Sequence, residues 1–101
     1  EAEYVRDPNP YPPTVNDPEE ARRVHGVITG LLGAEAAIWD HPPTLAGEDF
    51  AFLAREVPGA FAIIGNGDTA ALHHPAYDFD DRVLPLGIAY WVRLAETLLP
   101  G

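Results

Sequence analysis

The sequence has no cysteine, so its 101 residues offer neither a disulfide nor a thiolate metal site, and the redox compartment stays open. It has no methionine either, so Glu1 is not read as a natural start. Glu1-Ala2-Glu3-Tyr4-Val5-Arg6 reads as a strand already under way with no partner strand nearby, and the chain is expected to be truncated at its N-terminus. Basic residues are scarce. Six of them against sixteen acidic ones give a net charge of −10. Such a chain repels phosphate backbones, and no basic stripe offsets the repulsion, which argues against nucleic acid as a partner. No apolar run approaches the roughly 18 residues of a membrane span, and no charged-then-apolar leader precedes the body of the chain. A soluble, cytoplasmic piece without membrane contact is expected.

What is present is a globular composition, 47% hydrophobic and 10% aromatic, rather than a disordered one. The length suits one small domain or part of a larger one. Residues 7–17 (DPNPYPPTVND) hold four of the eleven prolines and read as a stiff extended connector. A helix follows, with Asp17 as its cap, Pro18 in the first helical position and Glu20 where a capping box wants a carboxylate. Ala21, Val24, Ile28 and Leu31 form one buried stripe, and Gly33 is the stop.

Ala36-Ala37-Ile38-Trp39 reads as a short strand ended by Asp40-His41-Pro42-Pro43. Gly47-Glu48-Asp49 opens a second helix through about Val57, closed by Pro58-Gly59. Ala60 to Ile64 reads as a buried strand, and Gly65-Asn66-Gly67-Asp68 as a turn. The loop with His73-His74-Pro75 and the acidic run Asp78 to Asp81 leads into a last helix. There Leu84, Ile88, Trp91, Ala95 and Leu98 form the apolar stripe, and Pro100-Gly101 ends it. Strands alternating with helices predict an α/β layer.

The residues that can carry chemistry are few. Imidazole suits zinc, so His73 and His74 are candidate metal ligands, against the plainer reading of a solvated loop pair. If the stretch is extended, adjacent side chains point to opposite faces and only one of the two can enter a given site. One or two histidines cannot close a metal site, which needs three or four protein ligands. Glu48 and Asp49 could serve in acid–base chemistry or orient a metal ligand, or could simply complement the positive end of a helix. Asp78, Asp80 and Asp81 could hold a cation, or cap and solvate the last helix. The turn at 65–68 lacks the glycine spacing and lysine of a phosphate loop. His25 and His41 receive no role.

Read in order, YPPTVND (11–17), GEDFAFLAREVPGAFAIIG (47–65), LHHPAYDFDDRVLPLG (72–87) and the closing helix resemble the C-terminal third of the hippurate hydrolase, N-acyl-amino-acid amidohydrolase and auxin-conjugate hydrolase family. That family is related to aminoacylase and to zinc carboxypeptidases. The resemblance covers nearly the whole chain. It implies the C-terminal portion of a zinc-aminopeptidase-like catalytic domain, preceded by the last strand of an α/β lid. Residues 1–13 would be that strand and its connector, and 14–101 the closing part of the catalytic domain.

By the same resemblance His73 falls on the metal-ligand histidine of the family's L-H-x-P motif. His74 inherits no ligand role, and Glu48 and Asp49 match a pair that organises the site. The typical relative reads G-S-E-D-F where this chain reads Ala46-Gly47-Glu48-Asp49-Phe50. Two divalent ions (zinc, manganese, cobalt or nickel), the catalytic glutamate and the remaining ligands are implied for the parent, all upstream of this chain. The piece itself would have no catalytic residue and no activity. Metal-assisted hydrolysis of a small acyl-amino-acid or peptide substrate by a parent homodimer, paired through the lid, is the implied function. A non-catalytic α/β interaction module on the same frame, or a dipeptidase or desuccinylase, are the alternatives.

Overall fold

The computed structural model describes residues 2, 3 and 5–99 and contains three helices, α1 (Pro18–Leu32), α2 (Phe50–Glu56) and α3 (Leu84–Leu98). A single turn of 3-10 helix at Asp81–Val83 leads into α3. Each helix begins where local chemistry provides for it. The Asp17 carboxylate accepts from the amides of Glu19 at 2.9 Å and Glu20 at 3.0 Å, two of the donors that a helix start leaves without partners. Pro18, which has no amide to satisfy, follows directly. The reciprocal half of the expected capping box does not form. Glu20 turns to Arg23 at 3.3 Å, while the Asp17 amide donates to the Gly59 carbonyl at 2.9 Å. At the other end Gly33 adopts φ 86°, a left-handed conformation that suits glycine, and α1 stops.

The start of α2 is capped by Glu48, whose Oε1 accepts from the Phe50 amide at 3.1 Å. The helix ends at an extended Val57, before Pro58-Gly59. The Phe50 ring lies over Gly59, where an added Cβ would sit 3.1 Å from it. Phe50 also meets Phe61 with ring centroids 5.6 Å apart.

No strand is present among the described residues, so the expected α/β layer is not seen there. The opening strand at 1–6 is irregular where described, and Glu1 and Tyr4 lie outside the described residues, as do Pro100 and Gly101. The stretches 36–39 and 60–64 have strand composition but no ladder, because a strand exists only against a partner that takes its amides and carbonyls. Side chains stand in that place. The Asn16 carboxamide donates to the Phe61 carbonyl at 3.0 Å and accepts from its amide at 2.8 Å. A ring nitrogen of His25 lies 3.2 Å from the Ala37 carbonyl.

α1 packs on α3, with Val24 buried and Ala21, Ile28 and Leu31 half-buried, as the stripe on α1 predicts. The apolar stripe on α3 is its exposed side: Leu84 is 51% exposed, Ile88 64% and Trp91 66%. The half-buried positions are Gly87, Ala89, Tyr90 and Leu94. Helical periodicity marks which residues share a face, not which element covers that face. An open apolar trough lined by Ile28, Leu31, Ile63, Ile64, Leu86 and Trp91 runs beside the α1–α3 contact.

Among the described residues only Val24, Ala37 and Ala51 are buried apolar side chains. The accessible surface is 8705 Å² for 11.0 kDa, where a well-packed monomer of that mass exposes roughly 5600 Å². The radius of gyration is 16.6 Å, against about 13 Å for a packed chain of this length. We therefore expect the isolated chain to bind a hydrophobic dye, to associate with itself and to melt over a broad range. Sedimentation and a thermal scan check this, and a dilute monomer with a sharp, high-temperature transition would contradict it.

Candidate functional site

The two adjacent histidines sit on a loop that leaves the chain at Asn66 and returns at Asp80. Its neck is laced by two side chains, Asn66 and Thr69. Asn66 donates to the Asp78 carbonyl at 2.8 Å and accepts from the Asp80 amide at 2.8 Å. The Thr69 hydroxyl lies 3.3 Å from both the carbonyl and the amide of Asp78. Gly67, at φ 77°, lets the chain turn away immediately after Asn66.

Within the loop two turns follow one another. The His74 amide donates to the Ala71 carbonyl at 2.9 Å, and the Tyr77 amide to the His74 carbonyl at 2.9 Å. His73 is the third residue of the first turn. Its φ of 68° makes it the one non-glycine residue at positive φ among those described. A negative φ at Leu72 followed by a positive one at His73 is the signature of a type II turn, where glycine is the usual occupant. The backbone here is therefore turned, not extended, and alternation along a strand is not what separates the two rings. Hydrogen bonding distinguishes them. The Nδ1 of His74 accepts from the Ala76 amide at 3.0 Å, which spends that ring on its own loop. No hydrogen bond to the exposed His73 ring is made among the described residues.

Asp80 closes the loop. Its carboxylate accepts from the Arg82 amide at 3.0 Å, from Arg82 Nε at 2.8 Å and from Arg82 Nη2 at 2.7 Å. These contacts to Arg82 hold the Asp80 carboxyl below the usual carboxylate range. Asp80 thus caps the turn that feeds α3, the plainer of the two readings of the acidic run. Asp78 serves through its main chain, and Asp81 opens the 3-10 turn.

Glu48 and Asp49 divide their work. Glu48 caps α2, while the Asp49 side chain makes no cap bond. The nearness of the Asp49 carboxylate, with the charge of Glu48, raises the Tyr11 phenol above its ordinary value. The Tyr11 ring covers Gly47, where an added Cβ would lie 3.2 Å from its Cγ, and meets Phe52 at 5.8 Å. Gly47, having no Cβ, leaves room for this ring. Sequence reasoning missed Tyr11, and the only signal was that a bare glycine precedes the acidic pair.

The remaining histidines are structural. A carbonyl only accepts, so His25 Nε2 and His41 Nδ1, facing the carbonyls of Ala37 and Pro42, must be the protonated nitrogens. His25 also meets Trp39 edge-on at 5.1 Å.

Among the described residues no three His, Cys, Asp or Glu side chains converge to hold a metal ion. No hydrogen bond joins Glu48 or Asp49 to the histidine loop. The residues fit one ligand, a free imidazole on a fixed turn, and not a whole site.

Two consequences can be measured. Asp49→Asn should lower the Tyr11 pKa, read from tyrosinate absorbance. Because that pKa is raised in the folded chain, the stabilisation it brings is whole below about pH 10 and is lost as Tyr11 ionises above it; an unchanged titration would show that Asp49 does not act on Tyr11. His73→Gly and His73→Ala both delete the ring, but only alanine keeps the strained φ. The glycine variant should be the more stable by about 1 kcal/mol in chemical denaturation of the intact protein, and equal midpoints would show that residue 73 relaxes freely.

Comparison with known proteins places this arrangement. The chain is 36% identical over 94 residues to the IAA-amino acid hydrolase ILR1-like 2 of Arabidopsis thaliana, covering 89% of this chain and 21% of that protein. It is 31% identical over 88 residues to the hippurate hydrolase of Campylobacter jejuni, covering 87% of this chain and 23% of that protein. It is 34% identical over 93 residues to the N-acetyl-L-cysteine deacetylase of Bacillus subtilis, covering 87% and 20%. The chain thus spans about a fifth of the length of these relatives. No solved structure matches it. The sequence profile of Peptidase family M20/M25/M40 matches residues 1–97, and the chain belongs to that family.

Proposed function

We propose that this chain is the closing part of the catalytic domain of a metal-dependent amidohydrolase that cleaves N-acyl or conjugated amino acids. Residues 1–13 would be the end of a lid and its connector, and 14–101 the catalytic part. The observation that carries the reading is the His73 imidazole, free of hydrogen bonds and presented on a strained turn, with no companion ligands around it. A lone ligand of this kind has a role only in a site completed by residues from elsewhere. The accessible surface, roughly 3000 Å² above that of a packed monomer, supports the same view. A standard interface covers about 800 Å² per partner, so the uncovered area is on the scale of a domain interior. The substrate class is suggested by the relatives, whose names specify acyl or conjugated amino acids.

Divalent ions in such a centre, when bound, acidify a water and polarise the scissile carbonyl. In this chain His73 would hold one ion through a ring nitrogen. Glu48 fixes the start of α2, and the Tyr11 ring of the connector packs on Gly47 and Phe52 beside Asp49. No residue of the chain is assigned the proton transfers, so the chain alone is proposed to be inactive.

In the full-length parent, His73→Ala is expected to lose bound zinc, manganese or cobalt and to lose activity by more than about a hundredfold, beyond what loss of a supporting contact costs. His74→Ala should keep its metal and lose about 1 kcal/mol of stability with the Ala76 bond. Metal content and hydrolysis of hippurate and N-acetyl amino acids decide between the two. Metal retained by the first variant and lost by the second would reverse the assignment.

A further inference from the structure

The His73 ring makes no hydrogen bond among the described residues, so its position is set by its backbone alone. That backbone is in a conformation costly for a non-glycine residue, and such a conformation persists only where its surroundings over-determine it. His73 stands midway between Asn66 and Asp80, and the turn hydrogen bonds inside the loop are local. What fixes the loop relative to the rest of the chain is its neck.

At the neck one carboxamide uses both of its polar atoms on alternate residues of the returning segment, the Asp78 carbonyl and the Asp80 amide. A neighbouring strand would bond to the same segment in the same alternation. The returning segment is itself anchored. Asp80 is held by Arg82 and starts the turn that runs into α3. A continuous path of contacts therefore leads from α3 through Asp80 and Asn66 to the turn that carries the imidazole.

We propose that Asn66 is a positioning residue for His73, its carboxamide closing the loop neck and so fixing where the imidazole is presented. The inference rests on the reading of His73 as a metal ligand. Without the clasp, only the longer Thr69 contacts tie the loop to Asp78, and the turn at residue 73 can shift toward the ordinary extended or helical regions, which swings the ring away from the direction it holds now. Asn66 has no contact with metal or substrate in this role.

The test uses the full-length parent loaded with zinc and, separately, with cobalt(II). Asn66→Ala is compared with wild type, with His73→Ala and with Asn16→Ala. Asn16 is the control because its carboxamide also makes two bonds to a distant peptide group, at Phe61, away from the loop. Asn66→Ala should weaken metal binding by about tenfold to a hundredfold and alter the visible absorption of the cobalt form. Asn16→Ala should lower the melting temperature with the metal affinity and the cobalt spectrum unchanged. If the two asparagine variants weaken metal binding alike, or if Asn66→Ala binds as wild type while His73→Ala does not, the positioning role is overturned and the ligand reading stands. If His73→Ala itself binds as wild type, the ligand reading has failed first. Should the alanine variant not accumulate, Asn66→Asp serves, because it keeps the acceptor for the Asp80 amide but sets a second acceptor against the Asp78 carbonyl. It should weaken binding in the same direction, and wild-type affinity in it overturns the proposal equally.

Discussion

With three buried apolar side chains among the described residues, the chain cannot be held in shape by a core. The burden falls on polar side chains that reach main-chain groups far along the sequence. Asn16 grips Phe61, His25 meets the carbonyl of Ala37, and Asn66 joins Asp78 to Asp80. Each of these contacts gives a main-chain group a partner where a β-ladder would otherwise run. The arrangement follows from that substitution. The first two contacts place α1 against the segments around it, and the third fixes the loop with the histidines.

How much of this the sequence discloses depends on range. The helices are legible because their signals are local: a cap at Asp17, a proline at the first helical position, a glycine at 33, an acidic pair ahead of α2. The strands are not, because apolar composition at 36–39 and 60–64 says nothing about whether a partner is present. The α3 stripe is legible as a face, but not what meets it. Leu84, Ile88 and Trp91 line an open hollow with Ile64, Tyr77 and Phe79, and α1 takes the neighbouring positions instead. The family is legible throughout, since it rests on motifs spread over the whole chain, and the match to residues 1–97 bears it out.

The candidate site shows the same division. That a histidine pair marks a special loop can be read from the sequence. The physics separating its members cannot, because it lies in a turn hydrogen bond, a φ of 68° and the Ala76 amide on the neighbouring ring. Glu48 and Asp49 look equivalent in one dimension and are not in three, since one caps α2 and the other raises the pKa of a tyrosine that lies 38 residues earlier. Gly47 is the clue that connects them.

Everything functional in this account turns on one imidazole being offered to a centre that the chain does not itself complete. The most direct measurement is anomalous diffraction at the metal edge from crystals of the zinc-loaded parent. The account predicts an ion within about 2.1 Å of a ring nitrogen of His73, with residue 73 still at positive φ and the His74 ring turned back on the Ala76 amide. An ion bound by His74, or a metal centre that takes no ligand from the 66–80 loop, would contradict it.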